Sequence, residues 1–140
     1  MLRTFLLALA ALLGACGAVA PRPSPTDSAF SVEFRRTGGF AGNDDRLVVA
    51  EDGRAHLATR RGACDLQVAP GEVESLRREL DGAGLASLPA TAAPGAIADG
   101  FDYDVTYRGS TRHYPEDRVP PSLRPAVTRL SALVDRPCPR

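Results

Sequence analysis

The chain has no lysine and no tryptophan, a single methionine, two histidines and three cysteines in 140 residues. All 17 basic residues are therefore arginines, and 17 acids balance them to a formal net charge of +0. That balance gives no global attraction for a polyanion, so nucleic acid is not an expected partner. The scarcity of histidine and cysteine leaves little material for metal or acid–base chemistry. His56 and His113 stand on separate strand-like segments, with no His-Glu-x-x-His pattern and no cysteine pair at zinc spacing. They read as exposed strand residues. Asp102 and Asp104 project from one strand face, and Asp44 and Asp45 adjoin a turn. Both pairs read as solvated carboxylates, because paired catalytic carboxylates generally come from separate segments that face a cleft. Gly38-Gly39-Phe40-Ala41-Gly42 has neither the glycine spacing nor the following helix of a phosphate loop. No catalytic constellation emerges, and neither an enzyme nor a bound metal or cofactor is expected.

What is present is an ordinary globular composition, 44% hydrophobic and 24% charged, in a length that suits one domain. The first segment is distinct. Arg3 precedes an unbroken apolar run from Phe5 to Leu13, too short to span a bilayer and typical of a signal peptide. The run closes on Leu13-Gly14-Ala15-Cys16, which resembles the lipobox of bacterial lipoproteins. That resemblance implies a signal peptide over residues 1–15, a diacylated Cys16 and attachment to the outer face of the cell membrane. Residues 16–28 hold Pro21, Pro23 and Pro25 among serine and threonine and read as a tether. With Cys16 assigned to lipid, Cys64 and Cys138 remain in an exported chain. One disulfide is the economical reading, two unpaired thiols the alternative.

Residues 29–140 read as the folded unit. Phe30, Val32 and Phe34 alternate with Ser31, Glu33 and Arg35 in the period of a half-buried strand. Leu47, Val48 and Val49 resume an extended pattern, Asp52-Gly53 supplies a hairpin turn, and residues 55–60 form its return strand. Cys64, Leu66 and Val68 mark a fourth strand. Val73, Leu76 and Leu80 fall at i, i+3 and i+7 of an amphipathic helix with Gly82 or Gly84 at its end. Phe101, Tyr103, Val105 and Tyr107 alternate through another strand, and Arg108-Gly109-Ser110 turns it into residues 111–114. Ser122 is placed to cap a last helix carrying Leu123, Val127, Leu130 and Val134 on one stripe. Strands in runs, each followed by one helix, predict an α+β fold with an antiparallel sheet of five to six strands and two helices on one face.

Phe34-Arg35-Arg36-Thr37-Gly38-Gly39-Phe40-Ala41-Gly42 resembles the signature segment of the emfourin family, small proteinaceous inhibitors of thermolysin-like metalloproteases. Ala98-Asp99-Gly100-Phe101-Asp102-Tyr103 and the closing Pro121-Ser122-Leu123-Arg124-Pro125 segment are similar to that family's layout, and the likeness extends over residues 29–135. It implies a membrane-tethered inhibitor of a secreted thermolysin-like metalloprotease that blocks the cleft with a preorganised loop. Gly38, Gly39, Phe40, Ala41 and Gly42 would then make the contact, with the loop over residues 90–98 as a second candidate. Thermolysin-like enzymes favour a bulky apolar group after the scissile bond, which Phe40 could supply. Two alternatives stand beside this reading. Phenylalanine is most often buried, so Phe40 could pack under the sheet while the glycines shape a bulge. The whole chain could equally be a cell-envelope interaction module with no protease target.

Overall fold

The computed structural model describes residues 30–139. The expected signal peptide, Cys16 and the tether lie outside the described residues. Within them the chain forms strands β1 (Ser31–Gly38), β2 (Asn43–Ala50), β3 (Arg54–Thr59) and β4 (Gly62–Gln67), helix α1 (Pro70–Ala83), strands β5 (Phe101–Tyr107) and β6 (Ser110–Pro115), and helix α2 (Arg124–Val134). The six strands make one sheet in the order β4-β3-β2-β1-β5-β6, antiparallel throughout. This is the α+β architecture that the alternation of strand and helix patterns predicts.

Register turns that alternation into a core. Phe34 stands opposite Leu47 on one side and Val105 on the other, Leu47 opposite Leu57, and Tyr103 opposite Tyr114. These side chains share one face, so each strand puts every second residue into the same buried layer. Val73, Leu76 and Leu80 of α1, with Ala126, Val127, Leu130 and Leu133 of α2, cover that layer. The opposite face stays wet and carries cross-strand pairs such as Arg46–Glu33 and His56–Asp65.

Helix α1 opens on Pro70, where a missing N–H costs little, and ends at Gly84 with φ 60°. Helix α2 departs from the expected start. It begins at Arg124 with Leu123 in the capping position and no side-chain cap. The Pro120 carbonyl accepts the N–H groups of both Leu123 and Arg124, at 2.9 and 3.1 Å, so a backbone turn satisfies the Arg124 amide that a Ser122 cap would have served.

Cys64 and Cys138 form a disulfide, their Cα atoms 5.8 Å apart. It ties the segment after α2 to β4, and Cys64 packs against the core as the strand pattern anticipates. No helix among the described residues is long and apolar enough to cross a membrane.

Strand directions sort the connections into two groups. The β1–β2 and β3–β4 connections, the chain entering β5, the chain leaving β6 and the segment after α2 gather at one end. Phe30, where the chain enters the sheet, lies at the other end with the β2–β3 and β5–β6 turns.

Candidate functional site

The glycine segment is the tip of the β1–β2 hairpin. Gly38 pairs with Asn43 as the last rung, and residues 39–42 cross beyond the sheet. Gly38, Gly39 and Gly42 have φ of 91°, 67° and 58°, a region L side chains rarely enter. At two of them space also forbids a side chain: a Cβ on Gly38 would meet the Gly100 carbonyl oxygen at 2.7 Å, and one on Gly39 the Phe101 ring at 2.6 Å. The glycines therefore let the tip lie directly on the neighbouring chain.

Three kinds of contact fix this tip. Gly42 donates its N–H to the Gly39 carbonyl at 2.9 Å, closing the turn. Gly39 donates its N–H to the Gly100 carbonyl at 3.0 Å, binding the tip to the chain before β5. From the other side, Arg60 Nη1 donates to the carbonyls of Gly42 at 2.7 Å and Ala41 at 3.2 Å. The backbone is thus held on both flanks, while no described residue covers the Phe40 side chain, which is 95% exposed. The alternative in which Phe40 packs under the sheet is overturned. The tip overshoots the last rung, so no inward-facing position exists for this side chain, and the glycines form the turn itself rather than a bulge.

Beneath the tip sits a charge cluster in which Arg36 and Asp45 are buried and Asp135 is exposed. Arg36 continues the inward row of Val32 and Phe34, and its guanidinium donates to Asp45 at 2.9 and 3.1 Å and to Asp135 at 2.8 Å. It lies over the Phe101 ring, 4.9 Å from its centroid. Burial opposes the charge on Arg36, but hydrogen bonds and attraction from Asp135 and Asp45 outweigh it and hold the guanidinium above its ordinary value. The cluster links the hairpin base to the end of α2, next to the disulfide-bonded tail. Arg36, Asn43, Asp45, Arg60, Phe101 and Asp135 line a concavity of about 860 Å³ beside the hairpin.

Asp45 corrects a second expectation. Asp44 and Asp45 do not form a solvated pair, because both belong to β2 and point to opposite faces. Asp44 is exposed and bound to Arg35 at 2.9 Å, and that contact holds its carboxyl below its usual range. Asp45 is 5% exposed. The remaining titratable candidates stay on the wet face. His56 Nδ1 is 2.8 Å from Asp65, His113 Nδ1 is 2.8 Å from Asp104, and His113 Nε2 is 3.9 Å from Asp102. No group of three or more such side chains among the described residues could hold a metal ion.

Sequence reasoning missed Arg36, Arg60, Gly100 and Asp135. Arg36 had a signal, its place two residues after Phe34 in the inward row. Arg60 had none, since its partners are backbone carbonyls brought near by the sheet. No family model, no curated protein and no solved structure matches the chain.

Proposed function

We propose that this protein is a membrane-tethered proteinaceous inhibitor of an extracellular thermolysin-like metalloprotease, and that the β1–β2 hairpin enters the protease cleft. One observation carries the reading: a fully exposed aromatic side chain sits on a turn whose backbone is held from both flanks. Exposing a phenylalanine to water is unfavourable by about 2 kcal/mol relative to burial, and here the fold gains nothing from it. A partner that buried the ring would recover that energy. Because the tip is already fixed by Gly100 and Arg60, little conformational entropy would be lost on docking. An inhibitor gains from the same rigidity, since a segment held at both flanks relaxes poorly into a cleavable geometry.

The Leu13-Gly14-Ala15-Cys16 segment supports attachment through lipid on Cys16. The chain enters the sheet at Phe30, at the end of β1 remote from the hairpin, and eight strand residues separate the two by about 26 Å. A tether there would direct the hairpin away from the bilayer, towards soluble enzymes.

The deciding experiment titrates thermolysin with the full chain in a mild detergent while hydrolysis of a short peptide is followed. One-to-one loss of activity is expected, without cleavage of the added protein. If activity persists at a large excess and no complex forms on a sizing column, the inhibitor reading falls and an envelope interaction module is the better description.

A further inference from the structure

We infer that the protein grips its target with two apolar anchors, Ile97 being the second, and that the target cleft offers a second apolar subsite beside the one taken by Phe40. This rests on the inhibitor reading above and extends it to a different loop. Among the described residues Phe40 and Ile97 are the large hydrophobic side chains left exposed, at 95% and 54%. Single exposed apolar residues scattered over a surface are common, but these two occupy loops bonded to each other at one end of the sheet. The bond is the one from Gly39 N–H to the Gly100 carbonyl, at 3.0 Å.

The loop that carries Ile97 is as firmly built as the hairpin. The Ile97 carbonyl accepts the Gly100 N–H at 3.2 Å, closing a turn. Asp117 accepts the N–H of Ala96 at 3.0 Å, and Glu116 accepts that of Phe101 at 3.1 Å, so both sides of the turn are tied to the chain leaving β6. A Cβ on Gly100 would lie 3.1 Å from the Ile97 Cβ, so the glycine lets the Ile97 stem settle close against the backbone. The side chain is held in place yet left more than half open to water.

Charge on the two sides of this rim specifies the partner further. Towards β3 and β4 lie Arg60 and Arg61, neither in an ion pair among the described residues. Towards β6 lie Asp117, which also pairs with Arg118 at 3.5 Å, and Glu116, whose carboxylate faces the Phe101 N–H and is in no ion pair among the described residues. The rim is therefore polarised along the strand order. A cleft with an acidic wall on the Arg60 and Arg61 side would be bound in one orientation only, with Phe40 and Ile97 reaching successive apolar subsites.

The test uses the full chain in detergent, with thermolysin as the probe, and compares wild type with Phe40→Ala, Ile97→Asp and Arg61→Glu by inhibition titration and thermal melting. Ile97→Asp is expected to weaken inhibition by about tenfold or more with an unchanged melting midpoint, and Ile97→Leu to restore most of it. Arg61→Glu is expected to weaken inhibition by about threefold to tenfold, by an amount that shrinks as salt is raised. Should Ile97→Asp melt early, Ile97→Ala is read by the same criterion. If Phe40→Ala weakens inhibition and the Ile97 variants leave it at wild type, the second anchor is overturned while the inhibitor reading stands. If wild type itself fails to inhibit, both fall together.

Discussion

Phe40 and Gly39 are neighbours with opposite consequences for the fold. The Phe40 ring touches no core residue, so Phe40→Ala should leave the melting midpoint within the range of a neutral surface change, about 0.5 kcal/mol. The same substitution should cost a thermolysin complex about 2–4 kcal/mol, some thirtyfold to several hundredfold in affinity, because an aromatic anchor at an interface loses all its burial. Titration and melting of one variant separate the two effects, and loss of stability would show that Phe40 serves the fold after all. Gly39→Ala should behave in reverse. Its φ of 67° and the Phe101 ring 2.6 Å from an added Cβ leave no room, so either the hairpin or the ring must move. A loss of about 1–3 kcal/mol in urea unfolding is expected; an unchanged midpoint would mean that the tip does not rest on Phe101.

Helix α1 is an element whose boundaries follow from local chemistry, and its end can be probed in isolation. A Cβ at Gly84 would meet nothing within 4 Å, so the strain of φ 60° is the only cost of Gly84→Ala. That strain is about 1 kcal/mol, or roughly 4 °C in the melting midpoint of a domain this size. A much larger loss would mean that α1 frays when its stop signal is removed. The β1–β2 hairpin is a different kind of element. Its turn residues permit the tip but do not position it, which is done by Gly100 and Arg60 from neighbouring segments.

At the scale of the molecule, the disulfide and the buried tyrosines set how the domain responds to its surroundings. The Cys64–Cys138 bond spans a sequence separation of 74, and chain-entropy arithmetic gives such a loop about 4 kcal/mol of stabilisation. The core is continuous without it, so reduction should lower the melting midpoint while far-ultraviolet circular dichroism at room temperature is retained. Unfolding on reduction alone would show that the tail is essential to the sheet. Tyr103, Tyr107 and Tyr114 have hydroxyl pKa values raised from 10.0, chiefly by burial. A raised folded-state pKa favours the protonated form, so their contribution is complete below the unfolded value of 10.0 and declines as pH rises through the folded values. Urea midpoints should therefore fall progressively above about pH 10, and a flat profile there would show that the hydroxyls reach water freely.

The amino-acid sequence by itself determined the strands, the helices and the cysteine pair, because each is written in near neighbours or in simple counting. Val32 and Phe34, or Leu76 and Leu80, declare a buried face through spacing alone. Which side chains meet across the sheet was decided only by tertiary structure. Asp45 looks like half of a hydrophilic turn until register sets it opposite Arg36 and the end of α2 adds Asp135. Ser122 looks like a cap until the Pro120 carbonyl takes the Arg124 amide first. Phe40 shows the limit most plainly. Its residue type favours burial and its glycine neighbours indicate a turn, but its exposure depends on whether any other segment rises to cover the tip. The chain before β5 instead binds the backbone of Gly39 and leaves the ring bare, because the hydrogen bond from Gly39 to Gly100 draws that loop beside the turn rather than over it.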